Sequence, residues 1–86
     1  MITKKDVTTG YPRVRQRILD LMTETNSARE VLEWLTDREL AIWIASETIA
    51  FGRPLDKAVA NANSHLQDRK KAIDSFVRVD IEKSLV

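Results

Sequence analysis

The chain has 86 residues, no cysteine and a formal net charge of +1. That length suits one domain, and the missing thiols exclude disulfides, thiolate nucleophiles and cysteine metal sites. With 43% apolar and 31% charged residues, the make-up is that of a globular rather than a disordered chain, and no apolar run approaches the ~20 residues of a membrane span. The first ten residues also lack the apolar stretch of a signal peptide, so a cytoplasmic protein is expected.

Charge is unevenly placed. Residues 1–19 carry Lys4, Lys5, Arg13, Arg15 and Arg17 against Asp6, and residues 20–50 carry seven acids against two bases. Residues 51–86 return to a small basic excess. Basic ends and an acidic middle can pair on folding or present one signed face to a partner.

Residues 1–10 read as a flexible tail, with Thr8, Thr9 and Gly10 as turn formers. The domain then spans residues 11–86. A first helix is expected over residues 12–25, with Pro12 at its first position and Val14, Ile18, Leu21 and Met22 on one face. Arg13, Arg15 and Arg17 on this helix suit either a solvated face with internal ion pairs or a nucleic-acid footprint. Ser27 and Glu30 suggest a capping box for a short second helix over residues 28–35. Its buried face would be Ala28, Val31, Leu32 and Leu35, with Trp34 at the rim or exposed as a partner anchor.

Thr36 begins the best-specified helix, residues 37–51. Thr36 and Glu39 have capping-box spacing, and Leu35 and Leu40 are placed as a hydrophobic staple. Gly52 can end it in the left-handed conformation, with Pro54 beyond. The helix carries two apolar stripes: Leu40, Trp43, Ile44, Ala50 and Phe51, and opposite them Ile42, Ala45 and Ile49 with Ala41 at the margin. A helix with two stripes is covered on both sides. Arg38 and Glu47 interrupt the stripes and read as edge positions. The sharp corner between residues 35 and 36 resembles a helix–turn–helix junction, but Asp37 and Glu39 stand where that arrangement meets phosphate. This helix is therefore a poor DNA reader.

Leu55, Val59, Ala62, Leu66, Arg69, Ile73 and Phe76 follow alternating four- and three-residue spacing. That pattern predicts one long helix over residues 55–83, as a coiled-coil seam or the packing face of a bundle helix. Ala58, Ala60 and Ala62 would admit a close neighbour. Arg69 in the seam could fix register across a dimer or extend to the rim. Residues 76–86 alternate like a strand at Val77, Val79 and Ile81, but Ile73, Val77, Ile81 and Leu85 continue the helix; helix is preferred.

No chemistry is visible. His65 is the only histidine, and with Asp68 it falls short of the three protein ligands of a zinc site. Ser64, His65 and Asp68 share one helical stretch, so they lack the directions a nucleophile relay needs. Two glycines cannot build a phosphate-cradling loop. No catalytic residue, metal or other cofactor is expected.

The expected fold is all-α: a compact four-helix domain with a doubly packed central helix and a long C-terminal one. The expected function is non-enzymatic protein binding, as adaptor, inhibitor or subunit, with a homodimer as one form. Trp34, Leu55, Val59, Ala62, Leu66 and Arg69 would make the contact. The alternative is nucleic-acid binding through Lys4, Lys5, Arg13, Arg15, Arg17, Arg69, Lys70 and Lys71. No small-molecule substrate and no membrane are expected.

Overall fold

The computed structural model describes residues 1–76. They form five α-helices and one short 3₁₀ turn: α1 Lys4–Met22, α2 Ala28–Trp34, α3 Asp37–Ala50, α4 Leu55–His65, the turn Leu66–Asp68, and α5 Arg69–Phe76. No strand occurs among the described residues, and none of their helices is long and apolar enough to cross a membrane. The question of strand or helix after residue 76 lies outside the described residues.

The central helix is where the sequence puts it. Thr36 Oγ1 accepts from Glu39 N at 3.1 Å, and Thr36 N donates to Glu39 Oε1 at 2.8 Å. Leu35 and Leu40, the two staple positions, are both buried. At the other end Gly52 N donates to Ile49 O, Arg53 N donates to Thr48 O, and Gly52 has φ of +96°. This reciprocal pair with a left-handed glycine is a Schellman ending. Six successive residues, Leu40 to Ala45, are buried, as a helix covered on two sides requires. α1 lies along one side, where Gly10 approaches Ile42. α4 lies along the other, where Asn61 Nδ2 donates to Thr48 Oγ1 at 3.4 Å. The cover stops short of the last turn: Ile49, Ala50 and Phe51 are exposed, although all three belong to the two stripes.

The first helix corrects the expected tail. It starts at Lys4, so Pro12 is interior. Thr3 caps it: Asp6 N donates to Thr3 Oγ1 at 3.3 Å and Thr3 N donates to Asp6 Oδ2 at 2.8 Å. Ile2 and Val7 occupy the staple positions and are both buried. Asn63 of α4 holds Ile2 from outside the helix, accepting from Ile2 N at 2.9 Å and donating to Ile2 O at 3.0 Å. The start is thus fixed by a cap, a staple and a long-range amide pair, enough to offset the ~3 kcal/mol that an interior proline costs. Gly10 is no turn former; it lets α1 and α3 meet, and a Cβ there would lie 2.9 Å from Ile42 Cδ1.

The long C-terminal helix is interrupted. Asp68 Oδ1 accepts from Lys71 N at 3.1 Å, the N-capping geometry of a new helix, and the chain passes through the 3₁₀ turn before α5 begins. α4 packs closely on the core because Ala58 and Ala62 are small and fully buried, while Ala60 is exposed. α5 closes the domain with Ala72 and Ile73 buried and the Phe76 ring edge-on to Trp43 at 6.1 Å.

Candidate surface groove between the first and third helices

On α1, Val7, Gly10, Val14 and Ile18 face inward. The two flanks of that inward face have different neighbours. Asp6 and Arg17 lie on one flank and meet the start of α3: Arg38 Nη2 to Asp6 Oδ1 is 3.0 Å, and Arg17 Nε to Glu39 Oε2 is 2.9 Å. The Arg38 interruption is thereby explained as an exposed pair. Asp6 is held below its ordinary carboxylate value by the Thr3 backbone N–H first and the Arg38 guanidinium next.

The other flank carries Tyr11, Arg15, Leu19 and Met22. With Ile18, Trp43 and Glu47 they line a pocket of about 160 Å³. That is below the 300–1,000 Å³ typical of small-ligand sites. A more open hollow, lined by Val7, Thr8, Tyr11, Ser46, Ile49 and Ala50, continues on the far side of Tyr11. Tyr11 borders both, so the two depressions make one groove between α1 and the C-terminal half of α3. Along it Tyr11, Leu19 and Ile49 are 37%, 38% and 37% exposed, and Phe51, just past the end of α3, is 65% exposed. Covering what remains exposed of each would add a fraction of the about 1.5–3 kcal/mol that full burial of a large apolar side chain is worth.

The expected protein-binding residues are placed otherwise. Ala62 is fully buried within the chain, and Leu55, Val59 and Leu66 pack on the same core. The alternating spacing is therefore used within the chain, as the packing face of a bundle helix. Arg69 is also committed: its Nη2 donates to Leu32 O at 3.3 Å, to Glu33 O at 3.0 Å and to Leu35 O, and its Nη1 reaches Asp37 Oδ1 at 2.6 Å. Trp34 is 43% exposed, on the rim of the corner rather than in the groove; its carbonyl accepts from Arg17 Nη2 at 3.2 Å.

The basic residues expected to bind nucleic acid do not gather into one surface. Arg17 and Arg69 converge, but on the carbonyls that end α2 and on carboxylates of α3. Lys4, Lys5, Arg13 and Arg15 are exposed; at 100° per residue they fan around about half of α1. Lys70 lies beside Glu33 and Arg29, and Arg29 is paired with Asp74 at 2.5 Å.

No three His, Cys, Asp or Glu side chains come together as a metal site among the described residues. His65 stands edge-on to Phe76 at 5.1 Å, and Asp68 is occupied in capping α5. The chain matches no protein-family model, no curated protein and no solved structure.

The sequence reading missed Tyr11, Leu19, Ile49 and Phe51 as surface residues. One signal could have found the first two. Thr3-x-x-Asp6 framed by Ile2 and Val7 marks a helix start, and continuing that helix puts Tyr11, Arg15, Leu19 and Met22 on one flank.

Proposed function

We propose that this is a non-enzymatic protein-binding module whose docking surface is the groove between α1 and α3. One observation carries the reading: three large apolar side chains, Tyr11, Leu19 and Ile49, stand partly exposed along one groove. Contiguous apolar surface rimmed by charge is the usual mark of a docking site, and aromatic side chains supply most of the energy in such contacts. Arg15 at the edge of the pocket offers a positive charge, which orients a partner more than it adds affinity.

The role would be that of an adaptor, inhibitor or subunit, and a second copy of the chain is one form the partner can take. The test is capture with the intact chain and with Leu19→Asp and Trp34→Ala. A partner held by the intact chain and by Trp34→Ala but lost with Leu19→Asp supports the groove. Loss with Trp34→Ala alone would move the surface to the α2 corner. Binding that nuclease abolishes, and that weakens steeply between ~50 and ~200 mM salt, would favour nucleic acid instead.

A further inference from the structure

We infer that the partner seated in this groove is an acidic amphipathic helix lying along α1, an assignment that rests on the groove being a docking surface. The direction comes from the lining. Val7, Thr8 and Tyr11 border one depression, and Tyr11, Arg15 and Met22 border the other, so the groove runs along α1 from Val7 to Met22. At ~1.5 Å per residue that is about 22 Å, the length of a helix of about 15 residues. Both walls are helices, and no strand edge stands among the described residues. A segment buried here has no ladder of free backbone groups to join. It must satisfy its own backbone hydrogen bonds, as a helix does. The two linings centre about eight residues apart on α1, so apolar anchors about two turns apart on the partner helix would fill them.

The charge of the partner follows from the same wall. At 100° per residue Lys4 and Arg15 lie within about 40° of Tyr11, so both stand on the groove side of α1, and both are exposed. Neither makes an ion pair with another described residue. The acids of α1 lie on its far side: Asp6 pairs with Arg38, and Asp20 accepts from Gln16 Nε2 at 2.9 Å. Glu47, a carboxylate among the lining residues, is already engaged within the chain. The α1 rim is therefore positive, and carboxylates along one flank of the partner helix would complement it and fix its register. Lys5 and Arg13 lie more than about 100° from Tyr11. The groove side thus sets Lys4 and Arg15 beside the partly exposed Tyr11, Leu19 and Ile49, a composition that suits a protein better than a run of phosphates.

The test is NMR titration of the full-length, isotope-enriched chain with two synthetic helical peptides of about 16 residues. Both share one leucine face; one is flanked by glutamates and the other by lysines. The glutamate peptide should shift the amides of Tyr11, Arg15, Leu19 and Ile49 and bind about ten-fold tighter than the lysine peptide at low salt. Lys4→Glu combined with Arg15→Glu should reverse that order with helical circular dichroism unchanged. Equal affinity, a preference for the lysine peptide, or an order that the double variant leaves alone would overturn the inference while leaving the groove a docking surface. Failure of both peptides to shift those amides would overturn the inference and count against the groove itself. A nucleic-acid duplex that shifts the same amides and binds tighter than the glutamate peptide would also overturn it, because Lys4 and Arg15 would then be phosphate contacts.

Discussion

Arg69 and Asp37, 32 residues apart in the chain, meet at 2.6 Å across the corner between α2 and α3. The ion pair is the lesser part of that contact. The Asp37 side chain is 75% exposed, and exposed pairs contribute about 0–1 kcal/mol. The same guanidinium donates to the carbonyls of Leu32, Glu33 and Leu35, and Arg17 from α1 donates to that of Trp34. Each helix leaves its last carbonyls without intrahelical partners. Here two arginines from distant helices supply them, which lets α3 follow α2 with almost no loop.

Arg69→Ala should therefore cost about 2–4 kcal/mol, since hydrogen bonds to a charged donor are worth about 1.5–3 kcal/mol each and several are lost together. Asp37→Ala should cost under about 1 kcal/mol. Arg69→Lys should recover little, because an ammonium cannot reproduce the planar fork. Urea unfolding of the three variants measures the difference. Equal losses for Arg69→Ala and Asp37→Ala would assign the stability to the ion pair instead.

Gly10 and Ile42 should be energetically coupled. Gly10→Ala gains up to about 1 kcal/mol of helix propensity but forces a methyl to within 2.9 Å of Ile42 Cδ1 in a fully buried site. Overpacking of this kind costs about 1–3 kcal/mol, so the single variant should be less stable than the parent. Ile42→Val removes the clashing carbon. In that background Gly10→Ala should become stabilising, and a double-mutant cycle reads the change of sign.

Pro12 is the ninth residue of α1 and is exposed. Its ring removes the hydrogen bond that an amide at this position would donate to the carbonyl of Thr8. Pro12→Ala should raise stability by about 2 kcal/mol: roughly 3 kcal/mol regained in the helix, less up to about 1 kcal/mol from a freer unfolded chain. A lower melting temperature for this variant would contradict the continuous helix from Lys4 to Met22.

Asp6 ties stability to pH. Its folded-state pKa lies below the ordinary value of 3.8, through the Thr3 backbone N–H and Arg38. A depressed carboxylate stabilises the fold above its unfolded pKa, and that stability is lost as pH falls through the folded value. Acid unfolding should thus begin below about pH 4 with a contribution from this cap. Asp6→Asn should flatten the pH dependence there, and Arg38→Ala should flatten it less, because the backbone donor is the larger cause.

Local signals were the legible ones. The limits of α3 follow from Thr36, Glu39, Leu35, Leu40 and Gly52 without reference to any other helix, and its two apolar stripes already imply two covering layers. The start of α1 was hidden because Pro12 and Gly10 suggest a boundary, whereas the contacts that override them, Asn63 to Ile2 and Gly10 to Ile42, are long-range. The alternating spacing from Leu55 to Phe76 suits a coiled-coil seam and a bundle face equally, so Arg69 could not be assigned to a helix end from spacing alone. The groove was the least legible feature. It depends on how α1 crosses the C-terminal half of α3, with Tyr11 beside both depressions, a matter of tertiary packing that spacing along the chain does not encode.

The most direct test of the docking surface is site-specific photo-crosslinking in the source cells. A benzophenone side chain would replace Leu19 on the groove and, as a control, Lys57 on the exposed side of α4. The account predicts a discrete crosslinked protein from position 19 and none from position 57. Crosslinks of equal yield at both positions, or at position 57 alone, would contradict it.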